Sequence, residues 1–173
     1  MTYPPHIIEK AKRVKLLILD VDGVFTNGQV WLSSNGDEVK VFHTQDGYGI
    51  KQIRRHNITV AIISGRNSKS CDYRMKELGV EHIHQGIHDK LPVFKQLLET
   101  VNVTGDDCAY VGDDIPDMPL MQRVGLKIAV ANATAPVKAI ADWETIKEGG
   151  HGAVRDVCDL LIHAQGMPLD YVT

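Results

Sequence analysis

Two aspartates one residue apart, Asp20 and Asp22, follow the apolar run Val14 to Leu19 and open the segment Asp20-Val21-Asp22-Gly23-Val24-Phe25-Thr26. Carboxylates this close resist joint ionisation: at about 4 Å and an effective dielectric near 20, two like charges repel by roughly 4 kcal/mol. A divalent cation removes that cost, and hard oxygen ligands at this spacing suit magnesium. Asp22-Gly23 is also ordinary turn chemistry, so the pair alone leaves both readings open. Three other segments carry groups of matching chemistry. Ile62-Ile63-Ser64-Gly65-Arg66 ends an apolar run in a hydroxyl, a glycine and an arginine just before a predicted helix, whose unpaired N–H groups suit phosphate. Lys90 stands at another predicted helix start, where an ammonium could neutralise a carboxylate and phosphoryl oxygens. A solvated surface lysine is the blander reading. Gly112-Asp113-Asp114-Ile115-Pro116-Asp117 again places acids behind an apolar run. Asp113 is best placed for a metal. Asp114 either reaches that metal through water or holds Lys90, and Asp117 caps or supports a short helix.

These segments need a frame that gathers them, and the alternation of short apolar runs with amphipathic stretches predicts one. It reads as an α/β fold, a Rossmann-like three-layer sandwich with a central parallel sheet. The predicted strands are 14–20, 58–64, a short one at VEHIH, 108–113 and 127–130, five in all. Predicted helices run from Asp46 to His56, then over 68–78, 89–100, Met118 to Val124 and 135–141, with a last one from Gly152. Residues 28–43 depart from the pattern: Asn35-Gly36 between β-rich arms predicts a hairpin inserted after the first strand. In open sheets of this kind ligands bind beyond the carboxyl ends of the strands, where Asp20, Ser64 and Asp113 all fall.

Bulk properties bound the function. The 173 residues read as a single domain, 1–173, with ordinary globular composition and a formal net charge of -3. That balance argues against a nucleic-acid partner, which would call for a basic face. No apolar run nears the roughly 18 residues that cross a bilayer, so no membrane partner is expected. Met1 to Lys12 lacks an apolar signal-peptide core, which predicts a cytoplasmic chain. The three cysteines, Cys71, Cys108 and Cys158, are odd in number and far apart, and read as reduced thiols. His82 and His84 face one way on a short strand, with no Cys or His cluster beside them, and read as solvent-facing polar residues.

The set Asp20-x-Asp22-Gly-Val-x-Thr, Ser64, Lys90 and Gly112-Asp113-Asp114-x-x-Asp117, in that order across residues 14–117, resembles the haloacid-dehalogenase (HAD) superfamily of phosphotransferases. The resemblance implies Asp20 as nucleophile, Asp22 as general acid and base, and Ser64 and Lys90 as stabilisers of the transferring group. It also implies Mg2+ held by Asp20, Asp113 and the backbone carbonyl of Asp22, with Asp114 and Asp117 in support. Asp22 favours a phosphatase over a dehalogenase, because an alkoxide must be protonated as it leaves and a halide need not be.

Longer matches are similar to the bacterial 3-deoxy-D-manno-octulosonate 8-phosphate (KDO 8-phosphate) phosphatases. They are Asp20 through Gly28, the hairpin, Phe42 through Lys51, Ser64-Gly-Arg66 with Arg74, and Gly149 through Gly166. The likeness implies a capless homotetramer whose hairpins form a central barrel, a C-terminal tail reaching a neighbour's site, and work in lipopolysaccharide precursor synthesis. It carries substrate contacts to Thr26, Asp46, Gly47, Gly65, Arg66 and Arg74. For the arginines the chemistry agrees, since a guanidinium fork suits the carboxylate of a phosphorylated sugar acid, although a surface salt bridge fits either one. The stretch from Asp20 to Ser64 has room for the hairpin and one helix but no large cap. Val30, Leu32, Val39 and Val41 alternating with Trp31 and Phe42 make both hairpin faces apolar, which predicts packing against other subunits. Two alternatives stay open: a phosphatase of a nine-carbon sugar acid phosphate, and a receiver-like binding module switched by phosphorylation.

Overall fold

β1 (Leu16–Leu19) is four apolar residues with every side chain buried, as a strand covered on both faces must be. Each contributes roughly 1.5–3 kcal/mol of burial before the entropy of ordering the chain is counted. The computed structural model describes residues 2–168. In it β1 lies inside a six-stranded parallel sheet, beside β4 (Thr59–Ile63) and β6 (Cys108–Gly112). β5 (His82–His84) extends the β4 side, and β7 (Leu126–Ala129) and β8 (Trp143–Glu144) extend the β6 side, giving the order β5-β4-β1-β6-β7-β8. The hairpin strands β2 (Trp31–Leu32) and β3 (Glu38–Val39) pair only with each other.

Helices α1 (Pro5–Lys12), α2 (Thr44–Arg55), α3 (Lys69–Glu77), α4 (Lys90–Val101), α5 (Met118–Met121), α6 (Ala135–Ile140) and α7 (Ala153–Ala164) flank the sheet. Right-handed crossovers send α2 and α3 to one face and α4, α5 and α6 to the other. α7 packs on α2 and α1 and closes the first face. The chain moves outward from β1 through β4 to β5, then returns to β6 and continues the other way. The crevice between β1 and β6 is thus the switch point of the sheet, where a ligand site is expected.

The sheet has one strand more than the sequence predicts. β8 is two residues long and pairs through Ile128 with Trp143 and Ala129 with Glu144, too short to show any periodicity. α1 was likewise not anticipated as a helix; it starts with Pro5 as a first helical residue and buries only Ile7 and Ala11. The hairpin pairs less than its arms suggest: only Trp31 with Val39 and Leu32 with Glu38. The turn spans Ser33 to Asp37, with the Ser33 N–H donating to Asp37 at 2.9 Å and Gly36 at φ 82. His82 and His84 are half-buried in β5 rather than solvent-facing, and burial lowers the pKa of His84. Of the expected C-terminal tail, residues 169–173 lie outside the described residues.

Candidate active site

β1, β4 and β6 end side by side because their registers match: Leu19 lies level with Ile62 on one side and Val111 on the other. The next residues carry the polar groups. Asp20, Asp22, Ser64, Gly65, Arg66, Lys90, Asp113, Asp114 and Asp117 all line one cavity of about 460 Å³. Gly23, at φ +96, turns the chain after β1 and leaves room for Asp113: a Cβ there would lie 2.0 Å from Asp113 Oδ2.

Lys90 is the hub. Its ammonium is buried and donates to Asp20 Oδ1 at 2.5 Å, Asp117 Oδ1 at 2.8 Å and the Tyr110 hydroxyl at 3.0 Å. Those contacts use all its protons. Burial alone would lower its pKa, but Asp20 and Asp117 outweigh that and raise it, so the ammonium stays charged. Asp117 is committed in turn. Oδ1 accepts from Lys90 and from the Tyr110 hydroxyl at 2.6 Å, and Oδ2 accepts from the Asp113 and Asp114 N–H groups at 2.9 and 3.3 Å. Asp117 therefore both shapes the turn after β6 and holds Lys90, a role that spacing alone offered to Asp114 as an alternative to a water-mediated metal contact. Asp114 instead caps the short 3-10 turn, accepting from the Ile115 N–H at 2.8 Å.

Asp20, Asp113 and Asp117 bring carboxylate oxygens within 4.8 Å of one another. Burial raises the pKa of Asp20, Lys90 opposes it, and Asp117 and Asp22 add to the rise, to about 7. Asp113 rises to about 8, through burial first and then Asp117, Asp20 and Asp114. A single ammonium does not balance these acids, and a hard divalent cation fits the donor set. Asp117, with both oxygens occupied, is the least available ligand of the three.

Asp22 faces the same cavity from the other side. Its Oδ1 takes a close bond from Lys40 at the base of the hairpin, and Arg66 Nε lies 4.0 Å from Oδ2. Glu38 receives both cations as well, Lys40 at 2.7 Å and Arg66 in a close bond. Burial pulls the pKa of Lys40 down, but Asp22 and Glu38 more than offset that and raise it. Ser64 is buried, its hydroxyl accepting from the Arg66 N–H at 3.4 Å.

Other sequence candidates lie outside the cavity within one chain. The Thr26 hydroxyl holds the loop after β1, donating to Val21 O at 3.3 Å and accepting from the Gly28 N–H at 3.3 Å. Asp46 is 0% exposed and caps α7, accepting from the Arg155 N–H at 2.7 Å. Gly47 provides space for Arg74, whose Nη2 would lie 2.2 Å from a Cβ there, while Nη1 bonds Glu77 at 2.7 Å. Sequence reasoning passed over Tyr110, Lys40 and Glu38. A hydroxyl inside the fully buried strand β6 was a signal for Tyr110. Nothing local marks Lys40, which gains its partners only through the fold. The glycines before α7 also brace the site: Gly150 N–H donates to Val24 O at 3.1 Å, and a Cβ on Gly149 would lie 1.7 Å from Gly23 O.

A family model of haloacid dehalogenase-like hydrolases matches residues 82–156. A 3-deoxy-D-manno-octulosonate 8-phosphate phosphatase of Salmonella typhimurium strain LT2 is 48% identical over 94% of this chain and 86% of its own length. The solved structure of the Yersinia pestis phosphatase of the same name is 42% identical, with a TM-score of 0.93 over 94% of this chain and 88% of that one. The Moraxella catarrhalis phosphatase, solved with a magnesium ion, a phosphate ion and a KDO molecule, is also 42% identical, with a TM-score of 0.92 over 95% of this chain and 94% of that one.

Proposed function

The chain belongs to the haloacid dehalogenase-like hydrolases, among relatives that are KDO 8-phosphate phosphatases, and from that premise we propose that it hydrolyses 3-deoxy-D-manno-octulosonate 8-phosphate to the free sugar acid and phosphate. The observation that carries the chemistry is the Asp20–Lys90–Asp117 chain of contacts beside Asp113 in one cavity. Asp20 attacks phosphorus in line; a new P–O bond forms to its carboxylate as the ester P–O bond breaks. Asp22 gives a proton to the leaving oxygen, which departs as the sugar alcohol. The carboxylate of Asp22 then takes a proton from the water that attacks the aspartyl phosphate, releasing phosphate and restoring Asp20. Lys90 keeps Asp20 oriented and offsets charge on the phosphoryl oxygens, with Ser64 as a further donor. Mg2+ would be held by Asp20, Asp113 and the backbone carbonyl of Asp22, and supplies charge neutralisation at the phosphoryl group when bound.

The sugar acid's carboxylate falls to Arg66, at the cavity's rim, with Gly65 leaving room beside it. Thr26, Asp46, Gly47 and Arg74 lie away from their own chain's cavity, so any substrate contact they make runs through a rearranged or neighbouring subunit. The assembly is a homotetramer built on the hairpin, and its support is exposure: Trp31 is 57% and Leu32 66% exposed in the single chain. No described helix is long and apolar enough to cross a membrane. The enzyme works as one domain in the cytoplasm, with no nucleic-acid or membrane partner.

A panel of phosphate esters tests the reading, run with magnesium and with a chelator control. Release from KDO 8-phosphate with magnesium, lost with chelator and in Asp20→Asn, is the expected result. Faster turnover of a nine-carbon sugar acid phosphate would replace the substrate but keep the chemistry. Magnesium-dependent release by Asp20→Asn at the normal rate would remove the nucleophile.

A further inference from the structure

The general acid of the proposed reaction does not stand free in the cavity. Asp22 Oδ1 is tied to Lys40, whose side chain is 3% exposed although its neighbours Val39 and Val41 are exposed. Lys40 is also ion-paired with Glu38 Oε1 at 2.7 Å, and Glu38 Oε2 bonds Arg66, which returns to within 4.0 Å of Asp22 Oδ2. Two carboxylates and two cations alternate around a closed ring. Each carboxyl group lies between two cations. The ring's second notable atom is Asp22 Oδ2. It is buried and has no hydrogen-bond partner. One oxygen of the acid is therefore tied to Lys40, while the other makes no hydrogen bond and has Arg66 Nε 4.0 Å away, on a side chain that lines the cavity with Asp20 and Lys90.

We propose that Lys40 is a positioning residue for catalysis: by holding Oδ1 of Asp22 it presents Oδ2 as the atom that exchanges the proton with the leaving oxygen and later with water. Glu38 fixes Lys40 in turn, so the base of the hairpin sets the rotamer of the acid. General acid–base catalysis demands this kind of control. The proton must pass within hydrogen-bond reach of the leaving oxygen, and a carboxyl turned about its χ angles delivers it elsewhere. An exposed lysine on a two-stranded ribbon would have no such effect. A buried one between two carboxylates has little freedom left. The inference rests on the phosphatase reading and on Asp22 as its acid and base, and goes beyond both in assigning Lys40 and Glu38.

Steady-state kinetics on a phosphorylated sugar acid with saturating magnesium supply the test. Lys40→Met removes the tether while keeping the length of the stem. It should lower kcat about tenfold or more while KM stays within about twofold, since the acid acts in the transition state and not in binding. Lys40→Arg, which can still donate to Oδ1, should recover most of the loss. A double-mutant cycle separates positioning from a merely structural role: in an Asp22→Asn background, Lys40→Met should cost less than about twofold more. An equal loss in both backgrounds, or no loss in either, would sink the proposal, because Lys40 would then act elsewhere or not at all. Should Lys40→Met fail to fold, Lys40→Gln gives the same comparison. The two readings fail separately. If Asp22→Asn turns over normally, the acid–base assignment falls and the positioning role with it; if Asp22→Asn is slow but Lys40→Met is not, only the positioning role falls.

Discussion

The carboxylates around Asp20 are held together against their own repulsion, and that has a consequence in pH. Asp20 and Asp113 are raised from an ordinary 3.8 to about 7 and about 8, chiefly by burial and then by the acids beside them. Groups with raised folded-state values bind protons more tightly folded than unfolded. Their contribution to stability is full below the ordinary value and is lost as pH rises through the folded values. Without a cation, stability should therefore fall between about pH 4 and 8 from this source. Magnesium, which binds the ionised form, should restore it. We expect magnesium to raise the melting temperature by about 3 °C or more at pH 8 and by much less at pH 5.5. Asp113→Asn should flatten that difference, and equal gains at both pH values would show that the cluster does not take up the ion as ionised carboxylates. Tyr110 makes a second case. Its hydroxyl is fully buried, and burial raises its pKa well above the ordinary range, so it remains a neutral donor to Asp117. Tyr110→Phe leaves one proton of Lys90 without a partner and should cost about 1–3 kcal/mol in urea unfolding. It should also lower kcat, because Lys90 is then less firmly aimed at Asp20.

At the level of elements, the site depends on two turns packing closely enough that only glycine fits. A Cβ on Gly112 would lie 2.6 Å from Asp117 Oδ2, the oxygen that receives the Asp113 and Asp114 N–H groups. Gly112→Ala should push Asp117 off those donors and loosen Lys90, so kcat should fall about tenfold or more while the sheet still forms. Far-UV circular dichroism alongside kinetics checks this; normal turnover by Gly112→Ala would mean that Asp117 is not needed in place. How much of this was legible beforehand follows from what each element depends on. β1, β4 and β6 are long apolar runs ending in Asp20, Ser64 and Asp113, so their positions and the site at their ends could be read from local pattern. β8 has two residues and draws its stability from β7 alone, so it left no period to read. The Asp117–Lys90 bond joins residues 27 apart, and the Lys40–Asp22 bond joins residues 18 apart. Partnerships across such distances exist only after folding. Thr26 and Asp46 entered only through the family likeness, and what they bond to, a loop and the start of α7, depends on packing that sequence spacing does not reveal.

Across the whole molecule, chemistry and apolar surface are unevenly distributed. One chain brings the proposed nucleophile and acid, the lysine and the candidate metal ligands into a single cavity, so the proposed chemistry needs no second copy. The hairpin is different. Its base is anchored by Lys40 and Glu38, while Val30, Trp31, Leu32, Val39 and Val41 are all exposed. A two-stranded ribbon joined by so few residue pairs is marginal by itself, and a patch of this composition seeks cover. Self-association through identical hairpins covers it without leaving an open edge. The cavity, lacking a large cap, would at the same time gain a wall from the neighbour. Assembly and substrate reading should then fail together while the chemistry survives. Replacing Trp31 and Val41 with lysine should turn the proposed hairpin-built assembly into monomers in sedimentation velocity. The same variant should lose about tenfold or more in kcat/KM for the sugar acid phosphate, yet change little toward a small aryl phosphate that needs no wall. A wild-type chain that sediments as a monomer at micromolar concentration would rule out the hairpin as an assembly element. A monomeric variant with undiminished preference for the sugar acid would place every specificity contact within one chain, and leave Arg66 as the group that must supply it.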